Sequence, residues 1–321
     1  MKKRLITVAV AVACASPLVA SADAIMYGRV NVNLVHEDAK LTVCTDGCLS
    51  ASDDAWDLQN NASRIGVKGS EDLGNGLAAI FQFEFGVDAS DSGDLSGRLA
   101  YAGLTGGFGT IAVGRQWTPY YGSVDKTDIM QVNSMNSHYL GLTRVGNAVA
   151  YVTPSFNGLS GKVALVIDNG GAEDTGEDFA DWTNVSVDYD NGPLSIGASW
   201  LRENSGEGDL WGVAGKYNFG MFALIGQYEN ADEDYYGDDT TSWALGGEVY
   251  FGNNTLRAVY GDMDFGGFGD GTNWAVGVEH NFSKRTRIFA EYQDFDAEAN
   301  LANESAKAEL KRFGVGIRHD F

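Results

Sequence analysis

Period-two alternation, repeated from one end of the chain to the other, limits the available folds more than any other feature. Sixteen segments carry it: "IMYGRVNVNLVH", "RIGVKG", "AAIFQFEF", "RLAYAGLTG", "TIAVGRQ", "AVAYVT", "KVALVID", "NVSVDY", "LSIGASWL", "LWGVAGKY", "FALIGQY", "WALGGEVYF", "TLRAVY", "NWAVGVEH", "TRIFAEYQ" and "RFGVGIRHDF". Such alternation puts apolar side chains on one face of a strand and polar or small ones on the other. Val30, Val32 and Leu34 alternate with Arg29, Asn31 and Asn33, Phe81, Phe83 and Phe85 with Gln82 and Glu84, and Trp274, Val276 and Val278 with Asn273, Gly277 and Glu279. In "FALIGQY" both faces are apolar. Forty-two glycines and few prolines favour strands joined by tight turns.

The fifteen joins alternate in length. Eight are long and mostly acidic, among them "HEDAKLTVCTDGCLSASDDAWD", the stretch after Trp117, "DNGGAEDTGEDFAD" and "DFDAEANLANESAKAE"; seven are short, such as "GGFG" and "NFSK". An antiparallel meander places every second join at the same end, so one end carries charged loops and the other tight turns. A secreted β-sandwich also alternates, but it favours Greek-key joins and has no use for a wide polar face opposite the apolar one. The reading is all-β: a 16-stranded antiparallel transmembrane β-barrel, apolar toward lipid and polar toward a water-filled interior. No apolar run in the mature chain reaches the ~18 residues of a spanning helix.

Lys2, Lys3 and Arg4, the apolar run from Leu5 to Ala13 and the small residues Ala20-Ser21-Ala22 form an export signal over residues 1–22, leaving a barrel over 23–321. Its removal takes three of the 22 basic side chains and none of the 44 acidic ones, so the mature charge is -25 and nucleic acid is excluded as a partner. Cys44 and Cys48 in "TVCTDGCLS" are expected to close a small disulfide loop in an oxidising compartment. A metal site would need more ligands than four scattered histidines supply, and no cofactor is expected. The acidic loops suit a cell-surface face where Ca or Mg bridges carboxylates to lipopolysaccharide; the plain alternative is that they only keep the loops solvated.

Several segments together resemble the general porins of Gram-negative outer membranes: "YGRVNVNL", "SRIGVKGSEDLGNGLAAIFQFE", "GRLAYAGLTGGFGTIAVGR", "TDIM" and the final Phe321. The resemblance spans the mature chain, and the run from Ser63 to Glu84 is its most specific part. It implies an outer-membrane homotrimer and a third long loop folded inward to narrow the pore. Phe321 then belongs to a signal read by the barrel-assembly machinery. That loop runs from about Trp117 to Asn147, long enough that a functional role is expected on length alone.

Porins of this kind set basic side chains on one wall against carboxylates on the loop. Arg29 in "YGRV" matches the basic position of the first strand, Arg64 in "SRIGVKG" that of the second, Arg98 in "GRLAYAGL" that of the fourth, and Arg144 in "TRVGN" the one after the loop. Arg29, Arg64 and Arg98 also lie on the polar faces of their strands, as a lumen requires. Asp128 in "TDIM" matches the acidic loop position. Where relatives often carry a second carboxylate this chain has Val132, and Asp125 is the substitute candidate. The arginines have an ordinary alternative, pairing with Glu71, Asp72 or Glu84. Lys68, Lys162, Arg257 and Arg287 read as general polar lining, and Arg115, on the apolar side of its strand, as a subunit contact or a register break.

Three functions follow. The first is a general diffusion porin for small hydrophilic solutes and ions. The second is a substrate-selective porin for a sugar or anion, motivated by Trp117, Tyr120, Tyr121 and Tyr139. The third is a barrel enzyme, for which His138 beside Ser134 and Ser137 is the one candidate, without an orienting partner.

Overall fold

The computed structural model describes residues 23–133, 135, 138–167, 179–204, 207–301 and 304–321. The expected export signal at 1–22, the acidic stretch 168–178 and both Ser134 and Ser137 lie outside the described residues. The first strands are β1 (Asp23–Cys44), β2 (Cys48–Asn60), β3 (Arg64–Gly74), β4 (Leu77–Val87), β5 (Leu95–Gly106) and β6 (Gly109–Trp117). After the third long connection come β7 (Arg144–Val152), β8 (Leu159–Val166), β9 (Trp182–Asn191), β10 (Leu194–Glu203), β11 (Asp209–Asn218) and β12 (Phe222–Ala231). The ring ends with β13 (Thr240–Phe251), β14 (Asn254–Asp264), β15 (Gly269–Asn281), β16 (Thr286–Leu301) and β17 (Glu304–Asp320).

Apart from β2 and β3, each strand pairs antiparallel with its sequence neighbour, and β17 returns to β1 with Arg29 opposite Asp320 and Cys44 opposite Ser305. The barrel ring is therefore closed, the condition for backbone inside a bilayer, while among the described residues β2 pairs on one side only, with β1. β2 and β3 are two pieces of one barrel strand: β1 pairs with β3 from Asp23 to Arg29 and with β2 from Val32 onward, and the break falls at Ala62, whose φ is +54°. The ring thus has sixteen positions, as the alternation requires.

Two joins differ from the sequence reading. "HEDAKLTVCTDGCLSASDDAWD" and "DFDAEANLANESAKAE" are mostly strand, because β1, β2, β16 and β17 run on past the barrel as paired hairpins. Beyond the bilayer both faces are wet, so the apolar alternation stops while the hydrogen-bond ladder continues. Cys44 and Cys48, opposite one another at the first hairpin tip, are joined by a disulfide.

The outer face carries the apolar set: Val30, Leu34, Phe83, Phe85, Trp274 and Val276 are all exposed around the ring. Asn31, Asn33, Glu84, Asn273 and Glu279 point the other way and are buried. The two-sided apolar character of "FALIGQY" also has its reason. Ile225 of β12, with Ala244, Val259, Ala275 and Phe289 on the next four strands, is buried on the inner side. Ile129, Met130, Val132 and Met135 of the third long connection pack on that wall. Each such side chain taken from water contributes about 1.5–3 kcal/mol to holding the segment there.

Candidate functional site

The third long connection begins with Thr118, whose side chain caps the short helix α1 (Pro119–Val124) by accepting from the Tyr121 N–H at 3.0 Å. Proline at the first helical position needs no hydrogen bond there and is pre-set for the turn. From that start the segment touches strands all round the ring. The Tyr120 amide donates to Asn184 of β9 at 2.8 Å, and the Tyr120 hydroxyl to Glu229 of β12 at 3.0 Å. The Ser242 hydroxyl of β13 donates to the His138 carbonyl at 2.6 Å, and the Asn273 amide of β15 to the Met135 carbonyl at 3.0 Å. The Gln131 and Val132 amides both donate to Glu291 of β16 at 2.8 Å, and Asn31 of β1 donates to the Gln131 carbonyl at 3.1 Å. A segment reaches β1, β9, β12, β13, β15 and β16 together only from inside the ring.

A cavity of about 420 Å³ remains between this segment and the opposite wall. Arg29, Arg64, Arg98 and Arg144 all line it, facing Asp125 and Asp128. Every residue proposed for the constriction therefore meets at one place. Arg318 of β17 joins them, with its guanidinium 3.1 Å from the Gln131 side-chain oxygen. The strand register that sets Asn31 opposite Arg318 places both on one face.

The wall is partly neutralised by its own carboxylates. Arg29 pairs with Asp320 at 2.8 Å, and Glu84 takes Arg98 at 2.6 Å and Arg64 at 3.7 Å. Glu84 is thus the pairing acid foreseen in the ordinary alternative. Two further lumen cations are paired too: Lys162 with Asp188 at 2.9 Å, and Arg257 with Glu279 at 2.9 Å and Glu248 at 3.2 Å. Among the described residues no carboxylate lies within pairing distance of Arg144, and its Nε has no acceptor. Its guanidinium stands over the Trp117 ring, 4.7 Å from the centroid. Arg115 sits at a register break, since the β6 to β7 ladder slips between Gly114 and Gln116.

On the loop side, burial and then the charges of Asp128 and Glu229 push Asp125 up to about 8. Burial also raises Asp128. Asp128, however, is exposed to the lumen, whose water screens its charge, whereas Asp125 is half-buried. A proton retained by the two therefore sits on Asp125.

The aromatic residues are largely spent on one another. Trp117 stacks on Tyr121 with centroids 4.6 Å apart and planes at 14°, and Tyr139 meets Tyr121 edge-on at 5.8 Å. Tyr120 is fully buried behind the loop. His138 is also buried, its ring against Gly261 of β14. Among the described residues, no three or more His, Cys, Asp or Glu side chains form a group that could hold a metal ion.

An antiparallel barrel closed on itself, apolar outside, polar within and narrowed by a folded-in segment is the architecture of a transmembrane channel. The chain belongs to the Gram-negative porin family, whose model matches residues 7–300. It is 30% identical to the major outer membrane protein P.IB of Neisseria meningitidis serogroup B, with all of both chains covered. The outer membrane porin protein 32 of Delftia acidovorans is 28% identical, over 90% of this chain and 88% of that one. Among solved structures, the anion-selective porin from Comamonas acidovorans superposes with a TM-score of 0.70 at 23% identity, over 94% of this chain and all of that one. The trimer form of OmpT from Vibrio cholerae gives 0.68 at 20%, over 94% and 99%. The chain is an outer-membrane channel for the passive passage of small hydrophilic solutes and ions.

Proposed function

We propose that the cavity between the arginine wall and the third long loop is the selectivity filter of a homotrimeric general diffusion porin, and that it prefers anions. The convergence of Arg29, Arg64, Arg98, Arg144 and Arg318 on one cavity carries this reading. The loop opposes them with Asp128 and with Asp125, which holds its proton near neutrality. Val132 stands where relatives often carry a second carboxylate, so the acidic side is thin. The Comamonas structure is of an anion-selective porin, and the Vibrio OmpT structure is of a trimer; both support the reading.

Replacing Arg98 by alanine removes one positive charge from the wall. The reversal potential in a salt gradient across a planar bilayer is expected to move toward cations; an unchanged value removes Arg98 from the filter.

pH provides a second test. As pH rises through about 8 Asp125 ionises, adding negative charge opposite the wall, so anion preference should fall there. The sign for loop seating is the same. A carboxyl raised in the folded state stabilises the seated loop fully below its ordinary pKa, and that contribution is lost as pH rises through about 8. Asp125→Asn should flatten both effects, and a pH dependence that survives in Asp125→Asn counts against this assignment.

A sugar-selective channel needs open aromatic faces, and the stacked Trp117 and Tyr121 do not supply them. Catalysis is not part of this reading, since the His138 ring is buried between loop and wall. Residues 1–22 are the cleaved export signal in this reading, and the acidic outer loops are the surface for Ca or Mg bridging to lipopolysaccharide.

A further inference from the structure

Trp117 ends β6 directly opposite Arg144, the first residue of β7. The slip in the ladder just before it aligns these two residues. One turn later the Thr118 cap places Tyr121, four residues on, so that its ring lies flat on the indole. The guanidinium of Arg144 lies 4.7 Å from the indole centroid and that of Arg98 5.6 Å. Arg29, Arg64 and Arg98 are held in place by carboxylates that offset part of their charge, Glu84 being shared by Arg64 and Arg98 and Asp320 by Arg29 and Arg318. Among the described residues Arg144 has no such partner.

We infer that Trp117 is the positioning residue for Arg144, and that Arg144 is the wall arginine whose positive charge is least offset by a carboxylate. An aromatic face attracts a guanidinium through its quadrupole and contributes no net charge. It therefore fixes the side chain and leaves its field directed at the passing solute. A carboxylate in the same position would orient Arg144 equally well and remove the selectivity. Tyr121 stacks on the indole and restricts its rotation. This assignment rests on the anion-preferring reading of the wall and names the residue pair that produces the preference.

The test is reversal potential and single-channel conductance for Arg144→Ala, Trp117→Leu, Trp117→Phe and the double variant Trp117→Leu/Arg144→Ala. Heat-modifiable gel mobility controls for folding. Arg144→Ala should give the largest cation-ward shift of any single arginine replacement, and Trp117→Leu should reproduce most of it with the charge still present. Trp117→Phe, which keeps a π face, should retain most of the anion preference. The double variant should shift no further than Arg144→Ala alone, because two residues acting through one guanidinium are not additive.

A normal reversal potential in Trp117→Leu, or additive shifts in the double variant, overturns the positioning role even where Arg144→Ala behaves as expected. An unchanged reversal potential in Arg144→Ala instead defeats the underlying reading for that residue. If Trp117→Leu does not fold, Arg144→Lys decides: it keeps the charge and loses the flat stacking plane. Wild-type selectivity in Arg144→Lys overturns the proposal, and a partial loss supports it.

Discussion

Replacing Glu291 by alanine is expected to widen and destabilise the constriction, seen as higher single-channel conductance, noisier open current and weaker ion selectivity. Its carboxylate sits on β16, almost wholly buried, and accepts the Gln131 amide at 2.8 and 3.0 Å and the Val132 amide at 2.8 Å. Each such hydrogen bond contributes about 0.5–1.5 kcal/mol, and a buried amide left without its acceptor costs about 1–3 kcal/mol. Alanine removes the acceptor and leaves two amides of the loop without it, so the penalty is on the order of 3 kcal/mol or more. The apolar cluster of Met130, Val132 and Met135 on Ala244, Ala275 and Phe289 remains, so the loop is expected to loosen at its tip without leaving the lumen. Glu291→Gln, which keeps one acceptor oxygen, should fall between alanine and wild type. Conductance and noise equal to wild type in Glu291→Ala would show that the apolar cluster alone holds the loop.

Within the bilayer the fold was legible, because lipid outside and water inside impose opposite demands on successive residues. All sixteen ring positions are visible as alternating segments for that reason. The same argument explains where reading failed. Past the bilayer, from about Asp38 to Asp54 and from Asp294 to Glu309, alternation carries no signal and paired strand reads as loop. "FALIGQY" was ambiguous because the inner wall there is covered by the loop and not by water, so Ile225 and Ala223 face inward as apolar residues.

The candidate site was legible as a set of residue types and illegible as a set of contacts. The pleat puts Arg29, Arg64 and Arg98 on the lumen side, but no pattern says that Glu84 serves two of them while Arg144 has none. Those facts depend on register, and one slip between Gly114 and Gln116 decides which side chains face each other across β6 and β7. Nor does any pattern bring Arg318 to this cavity, since its place follows from the seam between β1 and β17. Glu291 and Glu229 accept from the loop, and their sequence context carries no sign of it.

Deleting Phe321 is expected to deplete the protein from the outer membrane while costing the folded barrel little. In the closed ring Phe321 exchanges two backbone hydrogen bonds with Gly28, both 3.0 Å, and its half-exposed ring lies over that glycine. A Cβ at Gly28 would come 2.3 Å from the Phe321 ring and 2.8 Å from the Arg64 carbonyl, so this glycine leaves room for both. Two hydrogen bonds at a fraying end contribute about 1–3 kcal/mol in all. The rest of the seam, from Arg29–Asp320 to Cys44–Ser305, is unaffected. If Phe321 were only the last rung, the deletion would lower thermal stability slightly and leave the amount in the membrane nearly normal. If the assembly machinery reads it, most of the protein should be lost from the outer membrane in cells, while purified chain refolded in detergent reaches a yield close to wild type. Measuring both separates the two roles. Normal membrane levels in cells would remove the assembly role, and equal failure in cells and in detergent would instead mark Phe321 as structural.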